Sequence, residues 1–397
     1  MKHDSVDVVI VGAGPCGLAA AVSAQRAGFR TTVIERTCVV SGIASYPTYI
    51  TFFSTPAKLA IGGVPFVLAT EKPTRRDALA YYRAVVEYHD LDVRQYETVV
   101  AVERLEESRG PGEGGQDSED PESTRGREVR SELAAGSEVA GGRGGPPPKS
   151  TLPSPPGRFT TISPPLGARF RVRSVERSGA ERTTDAHAVV VATGYFGAPN
   201  RLDIPGEELP HVTHLYREGH EAFRRNAVVV GGGNSAVEAA LDLHRSGARV
   251  TLVHFGPDFD RNIKPWVLPT IEARMDSGEI GVRWNARLAR VDPEFITLQT
   301  ETGEERIPAD HVYLMLGYQP EIGLLQQLGV PIDQETGVPR HDPATMETAV
   351  PGVFISGVIA SGFDANKTFI ENGRFHGDLI ARRLTAEDSP GANPSPS

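Results

Sequence analysis

Two glycine-rich turns of one grammar, VVIVGAGPCG at Val8 to Gly17 and VVVGGGNSA at Val228 to Ala236, hold most of this 397-residue chain's capacity for chemistry. In each, an apolar strand turns sharply, lets its backbone approach an anion and starts a helix whose first N–H groups face that anion. Gly12, Gly14 and Gly17 stand where a side chain would obstruct this geometry, with Pro15 and Cys16 between them. In the second turn Gly231, Gly233 and Ala236 take the same three places, and Gly232, Asn234 and Ser235 fill the others. The ligand suited to such a turn is the pyrophosphate of a dinucleotide. Two such sites in one polypeptide predict electron transfer between two bound cofactors.

The next strand after each turn distinguishes the two sites. Thr31-Thr32-Val33-Ile34 ends in Glu35, 23 positions beyond Gly12, where a carboxylate can accept hydrogen bonds from ribose hydroxyls. The same offset from Gly231 falls on His254, just past the strand Arg249 to Val253. A carboxylate there would repel a phosphate on the ribose, and its absence favours NADPH over NADH. His254, Arg261 and Lys264 are the candidates to hold that 2′-phosphate; the alternative is that Arg261 and Lys264 are ordinary solvated loop charges.

These residues need two scaffolds. A chain this long exceeds one ordinary core, so the expectation is an α/β fold with two Rossmann-like dinucleotide-binding domains. The first is discontinuous (1–105, 166–207 and 318–386) and the second spans 208–317. A buried strand, Ala188 to Ala192, ends at Thr193-Gly194-Tyr195, the chain crosses near Ile204-Pro205-Gly206, and His311 to Leu316 brings it back at Gly317-Tyr318-Gln319-Pro320. Between Glu106 and Pro165 the composition turns to glycine and proline runs with too little apolar surface to offset ordering entropy. That stretch is expected to be a disordered insertion without chemistry, and 387–397 a similar tail. A net charge of −10 and a pI near 5.6 argue against a nucleic-acid partner. The apolar run Val8 to Val22 is too short and too interrupted to cross a bilayer, so a cytoplasmic protein with no membrane partner is expected. The two cysteines, Cys16 and Cys38, form neither a disulfide framework, nor a Cys-x-x-Cys, nor a metal-binding spacing, and no metal is expected.

The turns, the Ala192-Thr193-Gly194 strand end, the Gly-x-x-Pro at Gly317 to Pro320 and TAVPGVFISG at Thr348 to Gly357 resemble the thioredoxin-reductase-like flavoproteins. Within them, the chain most resembles the YpdA-type bacillithiol disulfide reductases, through GPCG at Gly14 to Gly17, YPTYITFFS at Tyr46 to Ser54, IKPWVLP at Ile263 to Pro269 and GVIASGFDANKTFIENGRFHG at Gly357 to Gly377. The resemblance implies FAD at the first turn, NADPH at the second, a small-molecule disulfide such as bacillithiol disulfide as substrate, and a homo-oligomer. It places Thr193 and Gly194 beside the flavin cofactor and adds Arg36, Val99, Gly317, Gly357 and Val358 to its surroundings. Three departures from thioredoxin reductase stand out. Its redox Cys-x-x-Cys is missing where Gly231-Gly232-Gly233-Asn234 runs on into Ser235-Ala236-Val237-Glu238, Val358 replaces the usual flavoprotein aspartate, and the insertion is extra. The first two fit the bacillithiol-linked family, which keeps a cysteine in the first turn.

Cys16 is the residue on which mechanism turns. At the first helix's N-terminus, N–H groups and the helix dipole favour its thiolate, which would suit attack on, or shielding of, a mixed disulfide. The alternative is that the position only needs a small residue, the adjacent pyrophosphate opposing thiolate formation. Cys38, towards the adenosine end, is read as packing. Asp364-Ala365-Asn366 can cap a helix beginning near Lys367, its positive end facing the flavin ring, with Lys367, Thr368 and Phe369 as contacts; the alternative is a sealing helix with Arg374 and His376 solvated. Ser45 to Thr48 are expected to line the isoalloxazine. Phe52 and Phe53 are read as core more than cofactor wall, and Trp266 as a cover for the nicotinamide or a packing residue. The mechanism implied is hydride transfer from NADPH to FAD, then cleavage of the disulfide with or without Cys16. A flavin-dependent monooxygenase, with His211, His214 and His220 between its turns, and an FAD-holding redox sensor are the alternatives.

Overall fold

The computed structural model of the chain describes residues 2–105, 166–261 and 263–387. Apolar residues at its C-terminal half bury the strand Lys2–Val11, which lies parallel to Thr31–Glu35 on one side and to Glu181–Val191 on the other. Val93–Gln95 extends this sheet beyond Thr31–Glu35. Along its other edge, Glu181–Val191 is long enough to serve two further neighbours. Phe170–Glu176 runs antiparallel along its first half, followed by Glu97–Arg104, and Val353–Ile355 runs parallel along its last three residues. Strands from three separated stretches of sequence therefore make one seven-stranded sheet. Phe170, Ile10 and Phe354 are fully buried in its core.

Glu97–Arg104 and Phe170–Glu176 are antiparallel neighbours, and Leu105 closes their open end by donating its N–H to the Arg169 carbonyl at 2.8 Å. The segment expected to be an insertion, 106–165, starts from that end and lies outside the described residues. Lengthening such a connection costs little, because closure entropy grows only logarithmically with loop length. Residues 388–397 of the expected tail are also outside the described residues. Glu387 is not tail but the last residue of the helix His376–Glu387.

The second sheet is wholly parallel, in the order Ile280–Arg283, Arg249–Val253, Asn226–Val230, His311–Leu314, Val212–Thr213. A three-stranded antiparallel sheet, Arg287–Val291, Phe295–Thr300 and Gly303–Pro308, covers it. Where the chain passes between the two sheets, Ala198–Pro199 pairs with Tyr318–Gln319 in a two-stranded ribbon. Ile204, downstream of the ribbon's first strand, already packs on the second sheet's core.

The two glycine turns are seated alike. Gly12 has φ +108° and Gly231 φ +143°. A Cβ on Gly12 would lie 2.4 Å from the Ala192 carbonyl oxygen, and one on Gly231 would lie 2.4 Å from that of Met315. Each carbonyl lies one residue past the end of the neighbouring parallel strand and is followed two residues later by a glycine of positive φ, Gly194 at +78° and Gly317 at +82°. Ala-Thr-Gly and Met-Leu-Gly are thus one structural device used twice. A carbonyl cannot swing aside as a side chain can, so Gly231→Ala must move the turn itself, at a cost of about 1–3 kcal/mol. Titration with NADPH is expected to show Kd raised by about tenfold or more; unchanged affinity would show that the close approach is dispensable.

Candidate functional site

The first turn leads into the helix Pro15–Arg26, whose N-cap, Gly14, supplies no side-chain cap. Its leading N–H groups therefore have no side-chain acceptor there, and a Cβ built on Gly14 meets nothing within 4 Å. An open approach to uncapped donors fits a pyrophosphate. Gly17 is under the opposite constraint: its Cβ would fall 2.0 Å from the Gly12 carbonyl oxygen. Glu35 is buried beside the turn. Its Oε1 accepts from the Thr37 N–H at 2.9 Å, the Thr37 hydroxyl at 2.8 Å and the Ser41 hydroxyl at 3.2 Å. Its Oε2 accepts from the Ala13 N–H at 2.9 Å and keeps capacity for a further donor, the place open to a ribose hydroxyl. The carboxylate thus ties the turn to the strand end as well. Arg36 pairs with Glu321 at 2.7 Å over Gly197, and Thr193 donates to the Glu321 carbonyl at 3.4 Å. Ser45 donates to the Gly42 carbonyl at 2.7 Å, and half-buried Val99 adjoins a register shift in its strand.

Two expectations at this site are overturned. Cys16 does not have a depressed pKa; burial pushes its thiol up to about 12. The sulfur is wedged between two glycine backbones, since a Cβ on Gly357 would lie 3.2 Å from it and one on Gly373 only 2.9 Å. Desolvation of a thiolate in this packing outweighs the helix dipole. The helix expected from Lys367 begins instead at Ile370 and spans four residues, Ile370–Gly373. Asp364 turns back on its own loop, pairing with Lys367 at 3.8 Å and accepting from the Asn366 N–H at 3.2 Å, while Asn372 accepts from the Phe369 N–H at 2.7 Å. One turn of helix carries too little aligned dipole for the expected electrostatic role. Lys367 and Phe369 are exposed, and the Thr368 hydroxyl bonds that of Ser361. Nor are Arg374 and His376 solvated. Arg374 donates to the Ala57 carbonyl at 2.9 Å, and His376 accepts from the Gly357 N–H at 3.2 Å just before half-buried Val358.

At the second turn the helix Asn234–Arg245 likewise starts from a glycine, Gly233, without a side-chain cap, and Ser235 is exposed at its start while Ala236 is buried. His254 is buried directly beneath the turn, where a Cβ on Gly232 would meet its ring at 2.4 Å. The expected cluster of cations is only partly assembled. Lys264 is already committed, its Nζ to Glu238 at 2.6 Å and its N–H to the Asn234 side chain at 2.8 Å. Arg261 is exposed on the loop. Sequence reasoning missed Asp260, whose N–H donates to the Gly232 carbonyl at 3.0 Å and whose carboxylate stands 4.0 Å from His254 Nε2. Its place on an irregular loop gave no periodic signal.

The segment Tyr46 to Ser54 joins the two halves. Thr48, expected at the flavin ring, donates its N–H to the Arg217 carbonyl at 3.0 Å and its hydroxyl to Glu218 at 3.2 Å. Tyr49 donates to the Glu238 carbonyl at 3.4 Å, and Phe53 stacks on Trp266 with centroids 5.4 Å apart and planes within 5°. Phe53 is thus neither core nor hidden: it is 64% exposed, whereas Phe52 packs against the first core. His214 faces buried Glu207 at 3.2 Å, a carboxylate that also gathers the Leu202 and Asp203 N–H groups at 3.1 and 2.7 Å. That histidine is part of a connecting turn. Among the described residues no group of three or more His, Cys, Asp or Glu is placed to hold a metal, and no helix is long and apolar enough to cross a membrane.

The family model for pyridine nucleotide-disulphide oxidoreductases matches residues 9–109 and 167–357, covering both turns and both strand ends. The chain belongs to this family, in its YpdA-type branch. Bacilliredoxin reductase Bdr of Bacillus subtilis is 36% identical over 384 residues, 96% of this chain and 98% of that protein. The structure of bacillithiol disulfide reductase Bdr (YpdA) from Bacillus cereus superposes with a TM-score of 0.79 at 37% identity, covering 97% of this chain and 100% of that one. A thioredoxin reductase of T. acidophilum, 19% identical, covers 97% of this chain and 99% of its own with a TM-score of 0.63, so the fold is thioredoxin-reductase-like. This pyridine nucleotide-disulphide oxidoreductase is an enzyme that works with FAD and NAD(P)H.

The raised thiol makes a pH prediction. A group with pKa near 12 is almost entirely protonated at pH 8, and the thiolate fraction grows only as pH climbs towards that value. In a Cys38→Ser background, Cys16 is expected to react with iodoacetamide on the order of a thousandfold more slowly than a free thiol at pH 8. The rate should keep rising through pH 10; a plateau by pH 8 would contradict the burial argument.

Proposed function

We propose that this oxidoreductase is a cytoplasmic, homo-oligomeric, NADPH-dependent reductase of a low-molecular-weight disulfide, bacillithiol disulfide foremost. One observation carries the reading. The chain has two cysteines, both free and too far apart in sequence for a redox pair of the Cys-x-x-Cys kind. Without an internal dithiol to relay electrons to a bulky partner, the disulfide must itself come to the cofactor, which favours a small one. The relatives' names, bacilliredoxin reductase and bacillithiol disulfide reductase, support the choice of thiol. A net charge of −10 and the absence of a long apolar helix among the described residues are compatible with the cytoplasm.

The two-electron chemistry is supplied by FAD and NADPH when bound. The protein's part is binding and orientation. Uncapped N–H groups behind Gly14 would hold one pyrophosphate and those behind Gly233 the other, with Glu35 Oε2 left to orient the first ribose. Cys16 enters with its proton on. Wedged between Gly357 and Gly373, it fills the space behind the turn, and nucleophilic attack would first require that proton to leave. Arg261 is the cation left for the 2′-phosphate once Glu238 holds Lys264, and neighbouring Asp260 opposes it.

Two measurements test this. Arg261→Ala should lower kcat/KM for NADPH by about tenfold, the worth of one charged hydrogen bond, with little change for NADH; equal loss for both would remove Arg261 from the phosphate site. Anaerobic NADPH oxidation should be strongly stimulated by bacillithiol disulfide and not by oxidised thioredoxin. No stimulation by any small disulfide, with oxygen uptake coupled to an organic substrate instead, would assign the enzyme to monooxygenation.

A further inference from the structure

The loop after strand Val353–Ile355 packs closely on Cys16, and one side chain holds it from outside. Gly357 sits at φ +83° as the N-cap of the short turn Val358–Ser361, which has no side-chain cap of its own. Val358 offers no hydrogen-bonding side chain. The Gly357 N–H instead donates to Nδ1 of His376, 3.2 Å away, at the start of the helix His376–Glu387. That helix is itself docked closely along Pro15–Arg26: a Cβ on Gly377 would lie 2.6 Å from the Ala20 Cα, and Ser23 donates to Asp378 at 2.7 Å.

The consequences converge on the first turn. A Cβ on Gly357 would come within 2.9 Å of the Cys16 Cβ, and a Cβ on Gly373 would lie 3.2 Å from the Gly357 Cα. Ser356, the residue before, donates its hydroxyl to the Cys16 carbonyl at 3.3 Å. Moving Gly357 therefore moves the loop that presses on the second residue of the helix facing the pyrophosphate. A ring nitrogen that accepts from an N–H carries no proton, so the imidazole is neutral and its hydrogen sits on Nε2. Burial agrees, holding His376 down to about 4. The anchor thus adds no cation beside the cofactor.

We propose that His376 is a positioning residue of the flavin site: its Nδ1 fixes the Gly357 N–H and so holds the Gly357–Val358 turn against Cys16 at the N-terminus of the FAD-binding helix. This depends on the flavin assignment and not on which disulfide is reduced. His376→Leu keeps most of the volume and removes the acceptor; His376→Asn places Oδ1 where Nδ1 was. The Leu variant should bind FAD about tenfold more weakly and expose Cys16 to faster alkylation, and the Asn variant should restore both to near the parent values. FAD affinity and Cys16 reactivity unchanged in the Leu variant would overturn the proposal, as would an Asn variant as defective as Leu. Should the variants fail to fold, 15N-histidine NMR of the unaltered holoprotein decides: an Nε2–H tautomer with an unprotonated, hydrogen-bonded Nδ1 supports the role, and an Nδ1–H tautomer or an imidazolium at neutral pH refutes it.

Discussion

The close seating of a glycine against a neighbouring strand's last carbonyl is the constraint on which the rest of this enzyme depends. At Gly12 and again at Gly231 the backbone comes so near Ala192 and Met315 that no Cβ fits. That contact sets where the following helix begins and which way its first N–H groups point. Each sheet exists, for functional purposes, to hold one carbonyl and one turn in this relation. Their cores, Val8 to Val11 with Val189 to Val191 in one and Val228 to Val230 with Leu252 and Leu314 in the other, are almost completely buried.

The sites differ in how charge is managed around those turns. At the first, Glu35 is a buried acceptor saturated largely by its own turn, and the thiol of Cys16 is kept neutral by dense packing. At the second, Lys264 is paired with Glu238 and buried His254 faces Asp260 at 4.0 Å, while Arg261 stays exposed on the loop. A carboxylate and a thiol locked into close backbone packing at one turn, and an ion pair with an exposed cation on a loop at the other, suit a tightly held cofactor and one that must come and go. The stack of Phe53 on Trp266 and the bonds from Thr48 and Tyr49 tie the two together across the crevice.

Much of this was legible in the sequence because the turn geometry dictates residue type. Strand, glycine, helix and terminal acid are local and periodic, so Asn226–Val230, Arg249–Val253 and Thr31–Glu35 fall where pattern puts them. Contacts distant in sequence set the features that pattern could not reach. The Cys16 environment comes from Gly357 and Gly373, more than three hundred residues away, and packing there reversed an argument based on the helix dipole alone. The commitment of Lys264 to Glu238 depends on how a loop folds over a helix. The start of the helix after Asp364 was misplaced because Asp364 bonds within its own loop while Asn372, inside the helix, caps it at Phe369, an outcome their capping propensities do not distinguish. His376 reads in sequence as a solvent residue on an amphipathic face, and only its partner across the fold gives it a role.

The central claim is that one chain grips a flavin and admits a nicotinamide reductant beside it. Its most direct test is the visible absorption spectrum of the purified protein under anaerobic conditions, before and after adding NADPH. A yellow protein whose flavin band bleaches promptly is the expected result. Colourless protein that takes up no added FAD, or a bound flavin that NADPH leaves oxidised, would contradict it.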